Sequence, residues 1–377
     1  MEQQRNGPAY PESLRLDEVE VLHGTPVPDP YRWLEDVDSE QTRRWIAAQN
    51  ELTFGYLNEI PEREPIRQRL TDLWDYEKYG VPFTHGGRYF FTHNDGLQNQ
   101  NVLFWMESLG AEPRVLLDPN QLSEDGTVAL TGYAASEDGR LLAYGLSASG
   151  SDWQEWRVRA VDSGDDREDH LKWVKFSGAS WTHDHQGFFY SRYDEPVEGE
   201  AYKGANYFHK LYYHRLGTPQ AADELVYERP DHEDWGFHSE VTEDGRYLII
   251  VVWKGTHREN GIFYKDLQAE DGAVVEMLNA FDASYAFVGN DGPIFYFLTD
   301  LDAPMSRVIA IDTTQPACEN WKEILPESAD ALQRVSWIHD MFVASYLHDV
   351  HSLVKILDRT GTFVREVTLP GMGTVMG

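Results

Sequence analysis

Several serines lie close to glycines, the arrangement from which a nucleophilic serine can be built. One common arrangement places that serine in a Gly-x-Ser-x-Gly turn between a strand and a helix. The nearest match, Gly145-Leu-Ser147-Ala-Ser149, has serine where the second glycine belongs and lies in strand-like sequence. We therefore assign no catalytic residue to this chain.

Two pairs of closely spaced histidines are the next residues that could do chemistry. His183 and His185 are two positions apart, and His348 and His351 are three apart, spacings that suit a metal site. No cysteine joins either pair, so we interpret them as surface or turn histidines and expect no metal. Phosphate binding would require a glycine-rich loop between a strand and a helix, and none occurs. We expect no cofactor.

The charge of the chain is strongly acidic. Asp and Glu outnumber Lys and Arg by 64 to 32, which gives a formal net charge of −32. Such a surface repels nucleic acids and anionic membranes, because proteins bind both through lysine and arginine. We expect neither as a partner. The acidic surface serves either solubility or adaptation to high salt, and the sequence leaves both interpretations open.

We expect no export signal in this sequence. The N-terminal residues lack the basic and apolar regions of a signal peptide, and no run approaches the ~18 apolar residues of a membrane span. The single cysteine, Cys318, cannot form an internal disulfide. A cytoplasmic location is therefore expected.

Residues 1–74 are predicted to form a helical segment. Asp29 and Pro30 match an N-cap followed by the first residue of a helix. Apolar residues recur every three or four positions from Ser39 to Ile60, and a second helical stretch runs from Glu64 to Trp74. Helices of this length need a partner surface.

Residues 75–377 change to short β-rich runs separated by turn signals. A related unit recurs at intervals of roughly 45 to 60 residues, and its copies begin at Thr84, Ser136, Thr182, Thr242, Gly289 and Trp337. Repeats of this length, each one small antiparallel sheet, are typical of a β-propeller, with a β-sandwich as the alternative. The last residues look like the opening strand of a further unit. We therefore expect an all-β propeller of the seven-bladed type, with about six blades present, truncated before closure.

Five segments carry a family resemblance: DPYRWLED at 29–36, GLSASGSDW at 145–153, VKFSGASWTHD at 174–184, KLYYHRLGT at 210–218 and YLHDV at 346–350. Together they closely resemble prolyl oligopeptidase, in the right order over essentially the whole chain. DPYRWL alone is shared with related oligopeptidases that cleave after basic residues, whereas GLSASGSDW and YLHDV favour the prolyl type.

The resemblance implies a serine endopeptidase that cleaves short peptides after proline. In the family, an α/β-hydrolase domain is assembled from an N-terminal and a long C-terminal segment, and the inserted propeller covers the active site. Residues 1–74 match the N-terminal hydrolase segment, and residues 75–377 match the propeller. Because the family's Ser, Asp and His triad lies in the C-terminal segment, we expect this chain to be inactive alone and to need that segment as a partner.

Two substrate-binding positions carry over from the family. Asp152 matches an acidic residue that pairs with a substrate-binding arginine of the catalytic domain; capping of a turn is the alternative. Phe176 matches an aromatic residue that lines the substrate pocket; an ordinary inward-facing strand residue is the alternative. We interpret the acidic segment 193–208 as a long loop. In the family, a corresponding loop lies near the substrate entry.

Two other pocket positions depart from the family pattern. Gly236 stands where a methionine is expected, with Phe237 beside it, and Thr256 stands where a cysteine is expected, shortly after Trp253. We expect Phe237 and Trp253 to reshape this part of the pocket. The alternative function is a stand-alone, non-catalytic propeller that binds peptides or proteins.

Overall fold

The computed structural model describes residues 9–197, 205–269 and 272–376. Its described residues form two compact units. The first contains the residues up to Glu77 together with Asp95–Leu97, and the second contains Lys78–Asn94 and the residues from Gln98 onward.

The first unit contains a hairpin and two α-helices. These elements are β1 (Val19–Leu22), β2 (Thr25–Pro28), α1 (Glu40–Asn58) and α2 (Arg63–Trp74). The predicted helix start at Ser39 is confirmed, because Ser39 is the N-cap of α1 and its side chain accepts a hydrogen bond from the Thr42 N–H (3.2 Å). This bond satisfies one of the N–H groups that a helix leaves free at its first turn.

The predicted helix start at Pro30 is wrong. A short 3-10 helix begins only at Arg32, and Tyr31 in the capping position makes no side-chain cap. The Asp29 carboxylate forms an ion pair with Arg32 instead, with 2.9 Å between Oδ2 and Nη2. The Asp29 carboxylate therefore binds Arg32 and does not cap a helix.

The two tryptophans of the charged N-terminal segment are anchored within the first unit. Trp33 Nε1 donates to the Leu14 carbonyl (2.9 Å), and Trp45 Nε1 donates to Ser13 Oγ (2.8 Å). Several large apolar side chains of α1 and α2 nevertheless stay at least half exposed, namely Phe54, Tyr56, Ile66, Leu70, Leu73 and Trp74. A further partner surface for these helices remains a prediction.

The described strands of the second unit form five antiparallel sheets and follow one another along the chain as six blades, so the all-β propeller fold is confirmed. Blade 1 comprises β3 (Lys78–Tyr79), β4 (Phe83–His85), β5 (Arg88–Asn94), β6 (Val102–Met106) and β7 (Arg114–Leu117). Blade 2 comprises β8 (Val128–Ala135), β9 (Leu141–Ala148), β10 (Gln154–Ala160) and β11 (Asp166–Val174). Blade 3 comprises β12 (Ser180–Trp181), β13 (Gly187–Arg192), β14 (Lys210–Arg215) and β15 (Glu224–Tyr227). Blades 2 and 3 share one eight-stranded sheet, because Val174 of blade 2 pairs with Arg192 of blade 3.

The last three blades are regular four-stranded meanders. Blade 4 comprises β16 (Trp235–Val241), β17 (Tyr247–Lys254), β18 (Gly261–Asp266) and β19 (Val275–Leu278). Blade 5 comprises β20 (Tyr285–Asp291), β21 (Ile294–Thr299), β22 (Arg307–Asp312) and β23 (Lys322–Leu325). Blade 6 comprises β24 (Ala331–Ile338), β25 (Met341–His348), β26 (His351–Asp358) and β27 (Phe363–Glu366).

Each predicted repeat falls on the turn between the first two hydrogen-bonded strands of a blade. In blade 2, Asp138 accepts hydrogen bonds from the Ser136 hydroxyl (2.6 Å) and the Arg140 N–H (3.1 Å). Equivalent aspartates close the same turn in blades 3 and 4, because Asp184 accepts from Thr182 and Asp244 from Thr242, both at 2.6 Å. The recurring Ser/Thr-x-Asp pattern therefore specifies one local turn geometry.

The core of the second unit lies between neighbouring blades. Five clusters of buried side chains join successive pairs of blades. Phe90 and Leu142 represent the cluster between blades 1 and 2, and Trp156 and Phe188 the cluster between blades 2 and 3. Burial of these apolar surfaces supplies the main driving force for folding.

The expected opening strand of a further unit is absent from the described C-terminal residues. β27 completes blade 6, and the segment after it folds back, with the Gly373 carbonyl accepting from the Ser352 N–H (2.8 Å). Within the part of the chain that the structure describes, no helix combines the length and the apolar character needed to cross a membrane.

Candidate substrate-facing site

Three loops of blades 2 to 4 bring the predicted site residues together. They are residues 149–153 between β9 and β10, residues 175–179 between β11 and β12, and residues 255–260 between β17 and β18. In an antiparallel meander, connections of this kind leave the same edge of the sheets. The side-chain contacts described below run from the first loop through the second to the end of β17.

Asp152 is exposed in the first loop, with 68% of its side chain accessible. Its Oδ2 lies 3.6 Å from Lys175 Nζ. The neighbouring Ser151 closes the turn, because Ser151 Oγ accepts from the Trp153 N–H (3.0 Å). The turn-capping role proposed for Asp152 therefore belongs to Ser151, and the Asp152 carboxylate is available to a further cation.

Phe176 lies in a bend outside the strands and is half exposed. Its φ of +56° places it in the left-handed region, which large side chains rarely adopt. The ring meets Trp253 edge to face, with centroids 5.9 Å apart. The alternative of an inward-facing strand residue does not describe this position.

Lys175 connects the acidic and the aromatic side chains of the site. Its Nζ lies 5.0 Å from the Trp153 ring centroid and 5.2 Å from that of Phe176, and its side chain is only 12% exposed. A cation over aromatic faces is attracted by their π electrons. The lysine therefore holds Asp152 and Phe176 in one group, a role that sequence reasoning missed.

His209 is buried next to this group and hydrogen-bonds to its backbone. This role was not predicted from the sequence. Phe237 N–H donates to Nδ1 (3.0 Å), so the proton must reside on Nε2, which donates to the Lys175 carbonyl (3.1 Å). Burial lowers the pKa of His209 to about 4. The imidazole is neutral near pH 7 and links blade 4 to the loop that carries Phe176.

Phe237 does not line the exposed face. Its side chain is fully buried in the cluster between blades 3 and 4, and its ring is nearly parallel to that of His209 (6°, centroids 6.2 Å apart). This finding corrects the expectation that Phe237 reshapes the pocket directly, because the ring has no exposed surface here. Phe237 packs beneath the site instead.

Trp253 occupies the space that a side chain at position 236 would need. The two residues are cross-strand partners, and a Cβ on Gly236 would lie 1.9 Å from Trp253 Cζ2. The indole therefore packs against the bare backbone of β16. Glycine at 236 and tryptophan at 253 form one complementary pair.

Thr256 is exposed in the turn that follows β17. Its neighbour Gly255 has a φ of +51°, which orients the turn. Among the described residues, no hydrogen bond joins the Thr256 side chain to the other site residues. Its part in substrate binding remains a prediction.

The remaining sequence candidates lie elsewhere. Gly145 is in β9, where a Cβ would lie 2.7 Å from Trp156 Cε2, so this glycine accommodates an indole. His348 bonds to Asp330 (Nδ1 to Oδ1, 2.7 Å), and this hydrogen bond raises its pKa. The centre of the predicted entry loop 193–208 lies outside the described residues.

The fold and the site together define a β-propeller that presents an exposed carboxylate beside aromatic side chains. In the sequence, this propeller follows a unit that contains two helices. Comparison with known proteins gives the family. Residues 11–377 match the family model described as prolyl oligopeptidase, N-terminal beta-propeller domain. The chain belongs to the prolyl oligopeptidase family.

Individual relatives agree with this assignment. The chain is 37% identical to the prolyl endopeptidase of Elizabethkingia meningoseptica over 98% of its own length and 52% of that protein, and 34% identical to prolyl oligopeptidase A of Amanita bisporigera over 97% and 53%. A solved structure of prolyl oligopeptidase B from Galerina marginata, bound to a 25mer macrocyclization substrate, has a TM-score of 0.86 at 28% identity and covers 96% of this chain and 54% of that one. The chain spans about half the length of the curated relatives it matches.

Proposed function

We propose that this chain is the substrate-gating half of a serine endopeptidase that cleaves short peptides after proline. In this proposal residues 1–74 complete a hydrolase domain, and residues 75–377 form the propeller that restricts entry to the site. The nucleophile, acid and base come from a C-terminal hydrolase segment. The chain of 377 residues is inactive without that segment.

The observation that carries this proposal is the group formed by Asp152, Lys175, Phe176 and Trp253. Asp152 offers an exposed carboxylate that can hold an arginine in a bidentate pair, and that arginine can point at a peptide carbonyl. Phe176 and Trp253 offer flat apolar surfaces at right angles to each other, which suit an uncharged peptide side chain. The exposed apolar side chains of α1 and α2 are consistent with a missing hydrolase surface.

The same group also fits the alternative, a non-catalytic propeller that binds peptides. An active-site serine reagent distinguishes the two functions. We expect no labelling of the 377-residue chain, and labelling together with cleavage after proline once the C-terminal segment is present. Labelling of the chain itself would contradict the assignment of the nucleophile, and failure of a longer polypeptide to cleave would favour the binding function.

Asp152→Ala tests the proposed substrate role in the complete polypeptide. Loss of a hydrogen-bonded charge pair costs about 1.5–3 kcal/mol, so kcat/KM for a proline peptide should fall about 10- to 100-fold. Glu168→Ala, which removes another exposed carboxylate from blade 2, is the matched control. Equal kcat/KM in the two variants would remove Asp152 from the site.

A further inference from the structure

A cavity of about 690 Å³ lies on the face of blade 2 that carries Tyr144, the face packed against blade 1. Its apolar wall is formed by Leu122, Val128, Leu146, Trp153 and Trp173. The rings of Trp153 and Trp173 meet edge to face, with centroids 5.7 Å apart and an interplanar angle of 87°. Two indoles at right angles form a corner that suits one apolar side chain.

A β-bulge directs Trp173 into this cavity. Gln154 and Trp156 of β10 pair with Val174 and Leu171 of β11, so three steps along β11 match two steps along β10. Trp173 lies at this extra position, with a φ of +59°. Adjacent residues of a regular strand point to opposite faces, whereas a bulge redirects a side chain. Lys172 and Trp173 consequently both line the cavity.

Two cations of the cavity, Arg157 on β10 and Lys172 on β11, have side chains that form no ion pair and no hydrogen bond among residues 9–197, 205–269 and 272–376. This is unusual in a chain with twice as many acidic as basic residues. Arg157 interacts electrostatically with Asp166 without forming an ion pair. Arg157 and Lys172, beside an apolar corner, favour an anion with an apolar part.

The two carboxylates of the cavity already have partners. Asp166 binds Arg159 (Oδ1 to Nε, 2.7 Å) and accepts from the Tyr144 hydroxyl (2.9 Å). Glu155 binds His170 (Oε2 to Nε2, 2.6 Å). Neither acid is bonded to Arg157 or Lys172, so both cations can face a ligand.

We propose that this cavity binds a monocarboxylate with one apolar side chain, the chemistry of the C-terminal residue of a short peptide. The carboxylate lies between Arg157 and Lys172, where a guanidinium offers a two-pronged hydrogen-bond donor. The apolar side chain occupies the corner of Trp153 and Trp173. The volume lies within the range of sites for small organic ligands. The proposal goes beyond the peptidase function and does not depend on it.

The residues favour a carboxylate over a phosphate. Phosphate sites commonly add clustered backbone N–H groups, from a helix N-terminus or a nest of turns, to their basic side chains. Here the cations project from neighbouring strands. The backbone of Arg157 is paired within the sheet, and the N–H and carbonyl of Lys172 are bonded to the Gln220 side chain, so neither residue offers a backbone N–H to a ligand.

Calorimetric titration of the 377-residue chain tests the proposal with four probes: N-acetyl-L-phenylalanine, its amide, N-acetylglycine and inorganic phosphate. The buffer should contain ~0.15 M salt, because a Debye length of about 8 Å then screens the net negative charge of the chain. We expect the acid to bind at least about ten-fold more tightly than the amide and than N-acetylglycine. Equal affinities of acid and amide, or no binding of the acid at millimolar concentration, would overturn the proposal. Phosphate bound as tightly as the acid would overturn the choice of a monocarboxylate.

Variants locate the binding. The double variant Arg157→Gln, Lys172→Gln removes both charges without breaking a described side-chain hydrogen bond or ion pair, and it should weaken binding of the acid at least about ten-fold. Lys322→Gln in blade 5 removes an exposed charge elsewhere and should leave binding unchanged. Trp173→Asn removes one indole with a residue that tolerates positive φ, and it should lower the affinity of the acid. Circular dichroism establishes that each variant is folded, and a folded double variant with unchanged affinity would contradict the site.

Discussion

His209 directly precedes β14 and His214 lies near its end. Both side chains are buried, yet their pKa values move in opposite directions. Burial lowers the pKa of His209 to about 4. Burial also opposes the charged form of His214, but hydrogen bonds to Asp169 and Asp223 outweigh it and raise its pKa to about 9. Near neutral pH one imidazole is therefore neutral and the other is charged.

The partners of the two rings explain the difference. Within the described residues, His209 bonds only to backbone groups, the Lys175 carbonyl and the Phe237 N–H. His214 lies between two carboxylates, with Nδ1 2.7 Å from Asp223 Oδ1 and Nε2 3.1 Å from Asp169 Oδ1. Burial alone thus sets the low pKa of His209, whereas two carboxylates outweigh burial at His214.

The two regions differ in structure as well. The surroundings of His209 form a neutral support beneath the exposed group of Phe176 and Trp253. The His214 network is a charged link between blades 2 and 3, because Asp169 belongs to β11 and His214 to β14. Asp223 extends the network by accepting from the Tyr190 hydroxyl (2.7 Å).

Removal of His214 should have the largest effect on stability. His214→Ala leaves Asp169 and Asp223 buried without their shared cation, and breaking a buried pair in this way costs about 3–5 kcal/mol. Urea unfolding, followed by tryptophan fluorescence, measures the loss in the free energy of unfolding. His257→Ala, at an exposed position, is the control and should change it by less than about 0.5 kcal/mol. A similar loss in both variants would contradict the charged link.

The pH dependence of stability should separate the two histidines. The folded pKa of His214 is raised, so its contribution is fully present below the unfolded pKa of 6.5 and is lost as pH rises toward about 9. One pKa unit corresponds to 1.36 kcal/mol, so the loss is on the order of 3 kcal/mol. The folded pKa of His209 is lowered, so its contribution is present above 6.5 and is lost as pH falls toward about 4.

Each of these two pH ranges is found by measuring, as a function of pH, the difference in unfolding free energy between the wild type and one variant. The difference from His214→Ala should shrink between pH 6.5 and 9. The difference from His209→Gln, which cannot titrate, should shrink or change sign between pH 6.5 and 4. If both differences changed over the same pH range, the two histidines would not have opposite protonation states near neutral pH.

The sequence predicts the blades well because their determinants are local. An Asp-centred turn followed by alternating apolar residues, as at Ser136 and Thr242, carries both the turn and the strand that follows. The helix start at Ser39 is local in the same way. The start at Pro30 failed because the Asp29 carboxylate had two possible partners and Arg32 bound it.

The site is harder to predict because its contacts cross between strands and blades. Gly236 and Trp253 are far apart along the chain, so their complementary packing depends on the register of β16 and β17. Phe237 faces the core since Trp235, Phe237 and Ser239 alternate with the exposed His238 and Glu240. That alternation was visible in the sequence, whereas the bond from His209 to the Lys175 carbonyl required the fold.

Adding a side chain at position 236, next to His209, should lower the free energy of unfolding by less than the removal of His214 does. Gly236→Ala would place a Cβ 1.9 Å from the Trp253 ring, so the indole must move, at a cost of about 1–2 kcal/mol. Thermal unfolding measures the loss, and Trp253→Leu in the same chain should recover part of it. Gly55→Ala in α1 is the control and should not destabilise the chain. Its Cβ would meet no atom within 4 Å, and alanine favours a helix. Equal stability of wild type and Gly236→Ala would contradict the close packing.

Asp152→Asn should have the smallest effect, although Asp152 is the residue most directly tied to the proposed function. The carboxylate is 68% exposed and its one ion pair, to Lys175, spans 3.6 Å, and exposed pairs contribute about 0–1 kcal/mol. Ser151 already closes the turn, so the asparagine variant loses no backbone hydrogen bond. Ser151→Ala is the informative partner, because it removes that bond and should destabilise the chain by about 1 kcal/mol. If Asp152→Asn instead proved the more destabilising variant, Asp152 would be a structural residue of the turn, and the proposed substrate role of its carboxylate would lose its support.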